Sequence, residues 1–140
     1  VRAITYSLSG GNLVVDKNNG AGNIVLAENI EDLQFQYGLD TDGDGQLDDT
    51  NGNGDPTDDF VDNPAGNESD IRAVNIFLLV RGATPDPNYK DNGMGGNQYI
   101  LGDHTINLDT NDANGINSNF DWHYHRRMLQ CTVKVRNMGY

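Results

Sequence analysis

Between residues 40 and 70 the chain carries eleven carboxylates (Asp40, Asp42, Asp44, Asp48, Asp49, Asp55, Asp58, Asp59, Asp62, Glu68 and Asp70) and no Lys or Arg. Gly, Asn, Asp and Pro dominate residues 40–69, and no apolar periodicity runs through them. Such a stretch cannot bury enough surface to offset its own ordering entropy. A fold for this chain must therefore order the segment by other means or leave it as a disordered acidic loop. Spread-out solubilising charge would be patterned differently. Crowding these acids together also costs repulsion, which a bound divalent cation would relieve.

The internal spacing of the segment favours the cation. Asp40-Thr41-Asp42-Gly43-Asp44-Gly45-Gln46-Leu47-Asp48-Asp49-Thr50-Asn51 places oxygen side chains at loop positions 1, 3, 5 and 9, with Gly at 6. That is the front of an EF-hand loop, in which alternating carboxylates converge on one hard ion and Gly permits the sharp turn. The expected ligands are Asp40, Asp42, Asp44, the backbone carbonyl of Gln46, Asp48 and Asn51. Asn51 replaces the bidentate Glu of an EF-hand, and the flanks are not amphipathic helices. The loop is therefore closer to the DxDxDG loops of extracellular thrombospondin type 3 or dockerin modules than to a sensor. A second register, Asp49-Thr50-Asn51-Gly52-Asn53-Gly54-Asp55, repeats the spacing with amides in place of two carboxylates, so Asp49, Asn53, Asp55 and Asp58 form a second candidate set. Hard oxygen ligands in a flexible loop select Ca²⁺ over transition metals, and Mg²⁺ would demand stricter octahedral geometry. A structural role is expected for the ion.

Around this loop the sequence reads as strands. VRAITYSLSGGNLVVD is two β-prone runs about Ser9-Gly10-Gly11, a hairpin, and a short strand follows at Ile24–Ala27. Leu33, Phe35, Tyr37 and Leu39 alternate with polar residues or Gly, as in a half-buried strand. DIRAVNIFLLVR, residues 70–81, is the most apolar stretch and implies a central strand covered on both faces. A Pro/Gly loop over 82–97 leads to a short strand at 98–101, and a polar loop is expected over 109–119. The last element, 122–137, reads as a long strand with Leu129, Cys131, Val133 and Val135 turned inward. No longer segment has a 3.6-residue period. The expected fold is mainly antiparallel β with long loops, in one domain of 140 residues, with 40–69 as a calcium-binding loop insertion.

Charge and motifs exclude several functions. A formal net charge of −12 leaves no basic face for nucleic acid or anionic lipid. No apolar run reaches the length of a membrane span, and the start at Val1, without Met or a signal-like segment, suggests a processed or trimmed chain. Cys131 is the one cysteine, and its strand parity suggests a small buried hydrophobe, not a nucleophile. Asp121, His123 and His125 would share a face if extended, a weak pattern for a transition metal. His104 beside Asp103 is a lone histidine. Gly93-Met94-Gly95-Gly96 follows a loop, not a strand, so it is no phosphate cradle. Asn67-Glu68-Ser69 matches a glycosylation sequon, a pattern too short to carry weight. No serine or cysteine sits where a nucleophile needs a base and an oxyanion site, and the carboxylates cluster as ion ligands would, so no enzyme is expected.

Three blocks, in order, resemble the PilW family of type IV pilus minor pilins and, more distantly, the GspJ-type pseudopilins of type II secretion. They are residues 25–38 (VLAENIEDLQFQYG), 70–81 (DIRAVNIFLLVR) and 126–137 (RRMLQCTVKVRN), preceded by Ile4-Thr5-Tyr6-Ser7-Leu8 and Asn12-Leu13 as the opening hairpin. The resemblance implies a β-rich C-terminal domain seated on an N-terminal hydrophobic helix, which anchors the precursor in the inner membrane and later packs in the filament core. That helix is absent from residues 1–140, so it would be supplied by a longer precursor or a separate chain. The resemblance further implies other pilin subunits as partners, membrane contact only through the helix, and a place in the periplasm or at the surface of a Gram-negative cell. The rival reading is an autonomous calcium-dependent adhesin or carbohydrate-binding module in which the ion, or the loops that carry Tyr89, Tyr99, Trp122 and Tyr124, contact the ligand directly.

Overall fold

A computed structural model of the chain describes residues 3–112 and 120–135. Among these residues eight strands follow in order: β1 Thr5–Ser9, β2 Asn12–Asp16, β3 Asn23–Glu28, β4 Ile30–Leu39, β5 Ile71–Arg81, β6 Gln98–Leu101, β7 His104–Asn107 and β8 Arg126–Lys134. They form sheets ordered β1-β2-β3, β4-β5-β8 and β6-β7. Short 3₁₀ turns lie at Pro56–Asp58 and Glu68–Asp70. The mainly β class and the long acidic loop are thus as the sequence implies.

The chain falls into two compact units, Val1–Leu33 with Leu78–Leu129, and Gln34–Phe77 with Gln130–Tyr140. In the first, β1 and β2 make the expected hairpin about Gly10 and Gly11, both at positive φ. A register shift between Leu13 and Val14 interrupts the pairing of β2 with β3, and both Val14 and Val15 are buried. Ile30, Leu79, Tyr99, Leu101, Ile106 and Leu108 add to the apolar core. β7, unforeseen from the sequence, pairs with β6 across Gly102 and Asp103. A two-residue Gly-Asp link between apolar runs was the available signal.

The same unit holds a buried charge network. The Arg126 side chain is fully enclosed; its Nε donates to Glu31 Oε2 at 2.6 Å and its Nη2 to Glu31 Oε1 at 3.0 Å. Nη1 donates to the Asp121 carbonyl at 2.8 Å and lies 3.5 Å from Asp91 Oδ2. Asp91 in turn accepts from the Tyr99 hydroxyl and from Gly93 N. Burial, reinforced by the Asp91 carboxylate, pushes the Tyr99 hydroxyl well above its ordinary pKa, so Tyr99 stays a neutral donor. Arg81 lies 3.7 Å from Glu31 and stacks over the Tyr124 ring.

In the second unit Ala73, Asn75 and Phe77 of β5 are buried, whereas Val74 and Ile76 on the alternate face are half-buried. β5 is central, as expected, but one of its faces is more fully covered than the other. The closing strand departs further from expectation. Trp122–Tyr124 form a turn, and β8 starts only at Arg126. Cys131 is exposed, as are Leu129 and Val133. Their alternation does mark one face of a strand, but in β8, the end strand of its sheet, that face stays about half exposed at Leu129 and Val133, and only Val135 beyond the strand is half-buried. Alternation fixes which residues share a face and not whether that face is covered.

Removing one partner of an enclosed ion pair strands the other charge. Arg126→Gln should therefore lower unfolding free energy by about 3–5 kcal/mol, read from urea midpoints. A loss under about 1 kcal/mol, the range of exposed pairs, would contradict the network's structural role.

Candidate metal site in the acidic loop

Asp40 directly follows β4 and is 1% exposed. Its backbone N–H donates to the Asp70 carbonyl at 2.9 Å, tying the start of the loop to its end. Its carboxylate then organises the turn between them. Oδ1 accepts from Gly43 N at 2.8 Å, and Oδ2 accepts from Gly45 N at 3.1 Å and from Arg72 Nε at 3.1 Å. Gly43 and Gly45 have φ of 77° and 86°, a left-handed conformation that Gly adopts without the Cβ clash other residues incur. Asp48 closes the turn: its carboxylate accepts from Thr41 N and Thr41 Oγ1, the latter at 2.6 Å, and its own N–H donates to the Leu39 carbonyl.

The result is a convergence of carboxylates. Asp40, Asp42 and Asp48 each offer one oxygen, and these oxygens lie within 4.8 Å of one another. Ligands held about 2.3–2.6 Å from a calcium ion are at most about 5 Å apart, so three of the expected ligands already stand at ligating separation. Among the described residues no other three acidic, His or Cys side chains come this close. Asp44 lies alongside and accepts from Gln46 N at 2.8 Å and from its side-chain amide. Asn51 is occupied elsewhere, accepting from Asn53 N and donating to Asp58.

The second register repeats the first turn. Asp49 takes the part of Asp40, accepting from Gly52, Asn53 and Gly54 N–H groups. Thr50 donates through N and Oγ1 to Asp59, as Thr41 does to Asp48. Its centre differs: the amides of Asn51 and Asn53 donate to Asp58, so hydrogen bonds meet much of the acid charge. Asp55 caps the 3₁₀ turn at Pro56–Asp58, and bonds from the Thr57 hydroxyl and N–H lower its pKa.

The loop lies back on its own unit. Val61 exchanges backbone bonds of 2.7 and 3.0 Å with Tyr37, and the Gln36 amide donates to Asp62. Leu47 and Phe60 close over Gly38, where a Cβ would stand 2.9 Å from the Phe60 ring and 3.0 Å from Leu47. Beside the loop a groove of about 730 Å³ is lined by Leu47, Phe60, Arg72, Asn75, Thr132 and Lys134. Asn75 and Thr132 are hydrogen-bonded within it.

The weaker candidates separate. Asp121 and His123 are buried together, with His123 Nδ1 2.8 Å from Asp121 Oδ1. His125 is exposed, stacks on Tyr89 at 3.7 Å and lies 3.5 Å from Asp86. The turn at 122–124 is what breaks the extended spacing the trio required. His104 lies 2.6 Å from the buried Asp32. Tyr99 and Tyr124 are in the core, and Trp122 lies under Lys90 at 4.2 Å, its Nε1 donating to Asp112. The adhesin reading thereby loses two of its four aromatic rings as a sugar platform. Sequence reasoning missed Arg72 and Arg126: nothing local marks pairs separated by 32 and 95 residues.

The family model described as Type IV Pilus-assembly protein W, PilW, matches residues 7–137. No curated protein and no solved structure matches the chain.

Because Leu47 and Phe60 pack where a side chain at position 38 would stand, Gly38→Val should cost about 1–3 kcal/mol through overpacking. Denaturant unfolding checks it, and unchanged stability would mean that the loop does not rest on β4.

Proposed function

From a chain that belongs to the PilW family of type IV pilus-assembly proteins, we propose a structural subunit of a type IV pilus or related pseudopilus whose globular part is stabilised by calcium. The family match over nearly the whole chain carries the filament assignment. Convergence of Asp40, Asp42 and Asp48 supports the ion. Asp44 and the Gln46 carbonyl complete the set from the same turn, and Asn51 joins only by leaving its bonds to Asn53 and Asp58. The Asp49, Asn53, Asp55 and Asp58 register is a second, less charged position.

Calcium in this reading is a staple. It cancels repulsion among acids that no Lys or Arg from 40–70 offsets, and it fixes a turn with almost no apolar burial of its own. Extracellular modules of this kind bind with dissociation constants of about 10⁻⁴–10⁻³ M, so the site fills outside the cytosol and completes folding after export. The partners are other pilus subunits, at the tip in adhesion or along the filament. No helix of the described residues is long and apolar enough to cross a membrane. The face of β5 and β8 that carries Val74, Ile76, Cys131 and Val133, with Val133 45% exposed, suits coverage by the hydrophobic helix of such proteins.

Binding to the folded state alone stabilises by mass action: at ten times the dissociation constant the gain is about 1.4 kcal/mol. Thermal melting in EDTA and across a calcium titration should show a rise of several degrees that Asp42→Ala with Asp44→Ala removes. An identical melting temperature at all calcium concentrations would overturn the staple and leave the filament assignment on the family match alone.

A further inference from the structure

The end strands of a sheet present unpaired backbone groups, and such edges invite pairing with another chain unless they are short, charged, bulged or covered. Most edges here are guarded in one of these ways. β3 carries the register shift that interrupts its pairing with β2. The outer side of β4 is taken at Tyr37 by two backbone bonds with Val61, β8 carries Arg126, Arg127 and Lys134, and β6 and β7 have four residues each. β1 has none of these devices. It contains no charge and no Pro, its register with β2 is unbroken, and all five of its residues are exposed.

The direction of its free backbone groups follows from the hairpin. Gly10 and Gly11, at φ of 60° and 76°, form a two-residue link, so the flanking Ser9 and Asn12 exchange hydrogen bonds and the pattern alternates back to Ser7 and Thr5. The N–H and C=O groups of Tyr6 and Leu8 therefore point away from β2. Their side chains belong to one apolar side of the sheet: Tyr6 and Leu8 oppose Val15 and Leu13, Val15 opposes Ile24, and Ile4 continues the row by alternation. Ile4 and Tyr6 are each 54% exposed and Ile24 46%. Thr5, Ser7 and Ser9 occupy the other side.

Charge and register select a second copy of the chain as the occupant of this edge. Between Ala3 and Glu28 only Asp16, Lys17 and Glu28 are charged. A two-fold axis normal to the sheet at Ser7 sets two β1 strands antiparallel, with Tyr6 of each copy opposite Leu8 of the other and Thr5 opposite Ser9, and it keeps both apolar rows on one side. Tyr6 and Leu8 are the residues with outward groups, so each such pair exchanges both backbone bonds, and no charged residues of the two strands face each other.

We propose that β1 is a self-recognition edge, through which two copies join their three-stranded sheets into one continuous sheet with an unbroken apolar side. The contact is isologous and closes on itself, so it makes a dimer and is separate from the head-to-tail contacts of a filament. It does not depend on calcium in the acidic loop.

The test is sedimentation equilibrium of the chain in chelator at physiological ionic strength, with amide exchange read by NMR at low and high protein concentration. Self-pairing predicts a monomer–dimer equilibrium in which the Tyr6 and Leu8 amides exchange about tenfold or more slower at the higher concentration, while the Ser7 amide, bonded to β2, is slow at both. Tyr6→Lys, which puts a cation on the open edge, should weaken association at least about tenfold. A chain that stays monomeric, a dimer whose Tyr6 and Leu8 amides exchange as fast as in the monomer, or association unchanged in Tyr6→Lys would each overturn the proposal. Should the variant fail to fold, exchange at the wild-type amides decides. Because chelator is present throughout, failure here leaves the calcium reading of the acidic loop standing.

Discussion

The burial of Asp40 is the constraint around which the second unit is arranged. A carboxylate 1% exposed is tolerable only if its charge is met by donors or cations, and here two glycine N–H groups and one guanidinium meet it. Meeting it dictates the shape of the chain. The glycines must take left-handed φ, which curls residues 40–45 around the carboxylate, and Arg72 must come from the start of β5, which fixes where the loop returns. The bond from Asp40 N to the Asp70 carbonyl closes the same circuit. A long segment with little apolar content is thereby held at both ends by polar contacts, with Leu47 and Phe60 on Gly38 as the apolar anchor between them.

Arg126 plays the corresponding part in the first unit, where Glu31 and Asp91 surround it. A chain with nine Lys and Arg against 21 Asp and Glu has few cations to place, and it places Arg72, Arg81 and Arg126 against enclosed carboxylates. Such an arrangement adds specificity more than net stability, because desolvation consumes much of the Coulomb gain. The remaining acids are left to turns, to amides and, if the loop is loaded as proposed, to calcium.

Much of this was legible in the sequence because it is local. Alternation at Leu33, Phe35, Tyr37 and Leu39 marks β4, the apolar run from Ile71 marks β5, and Gly10-Gly11 marks the first hairpin. Spacing alone named Asp40, Asp42 and Asp48, which the fold brings together. What failed was whatever depends on a distant partner. Parity put Leu129, Cys131 and Val133 on one face, yet whether that face is covered is decided by the rest of the sheet. Asp121, His123 and His125 have ligand spacing only if extended, and the turn before β8 removes it. Neither Arg72 nor Arg126 carries a local sign of the carboxylate it serves.

Amide hydrogen exchange over residues 40–62, in chelator and in millimolar calcium, tests the central claim most directly, because it reports the ordering of the loop itself. A calcium staple predicts that exchange slows about tenfold or more at Gly43, Gly45 and their neighbours when calcium is present, while the amides of β1–β3 are unchanged. Exchange that is identical in the two conditions across the loop would contradict it.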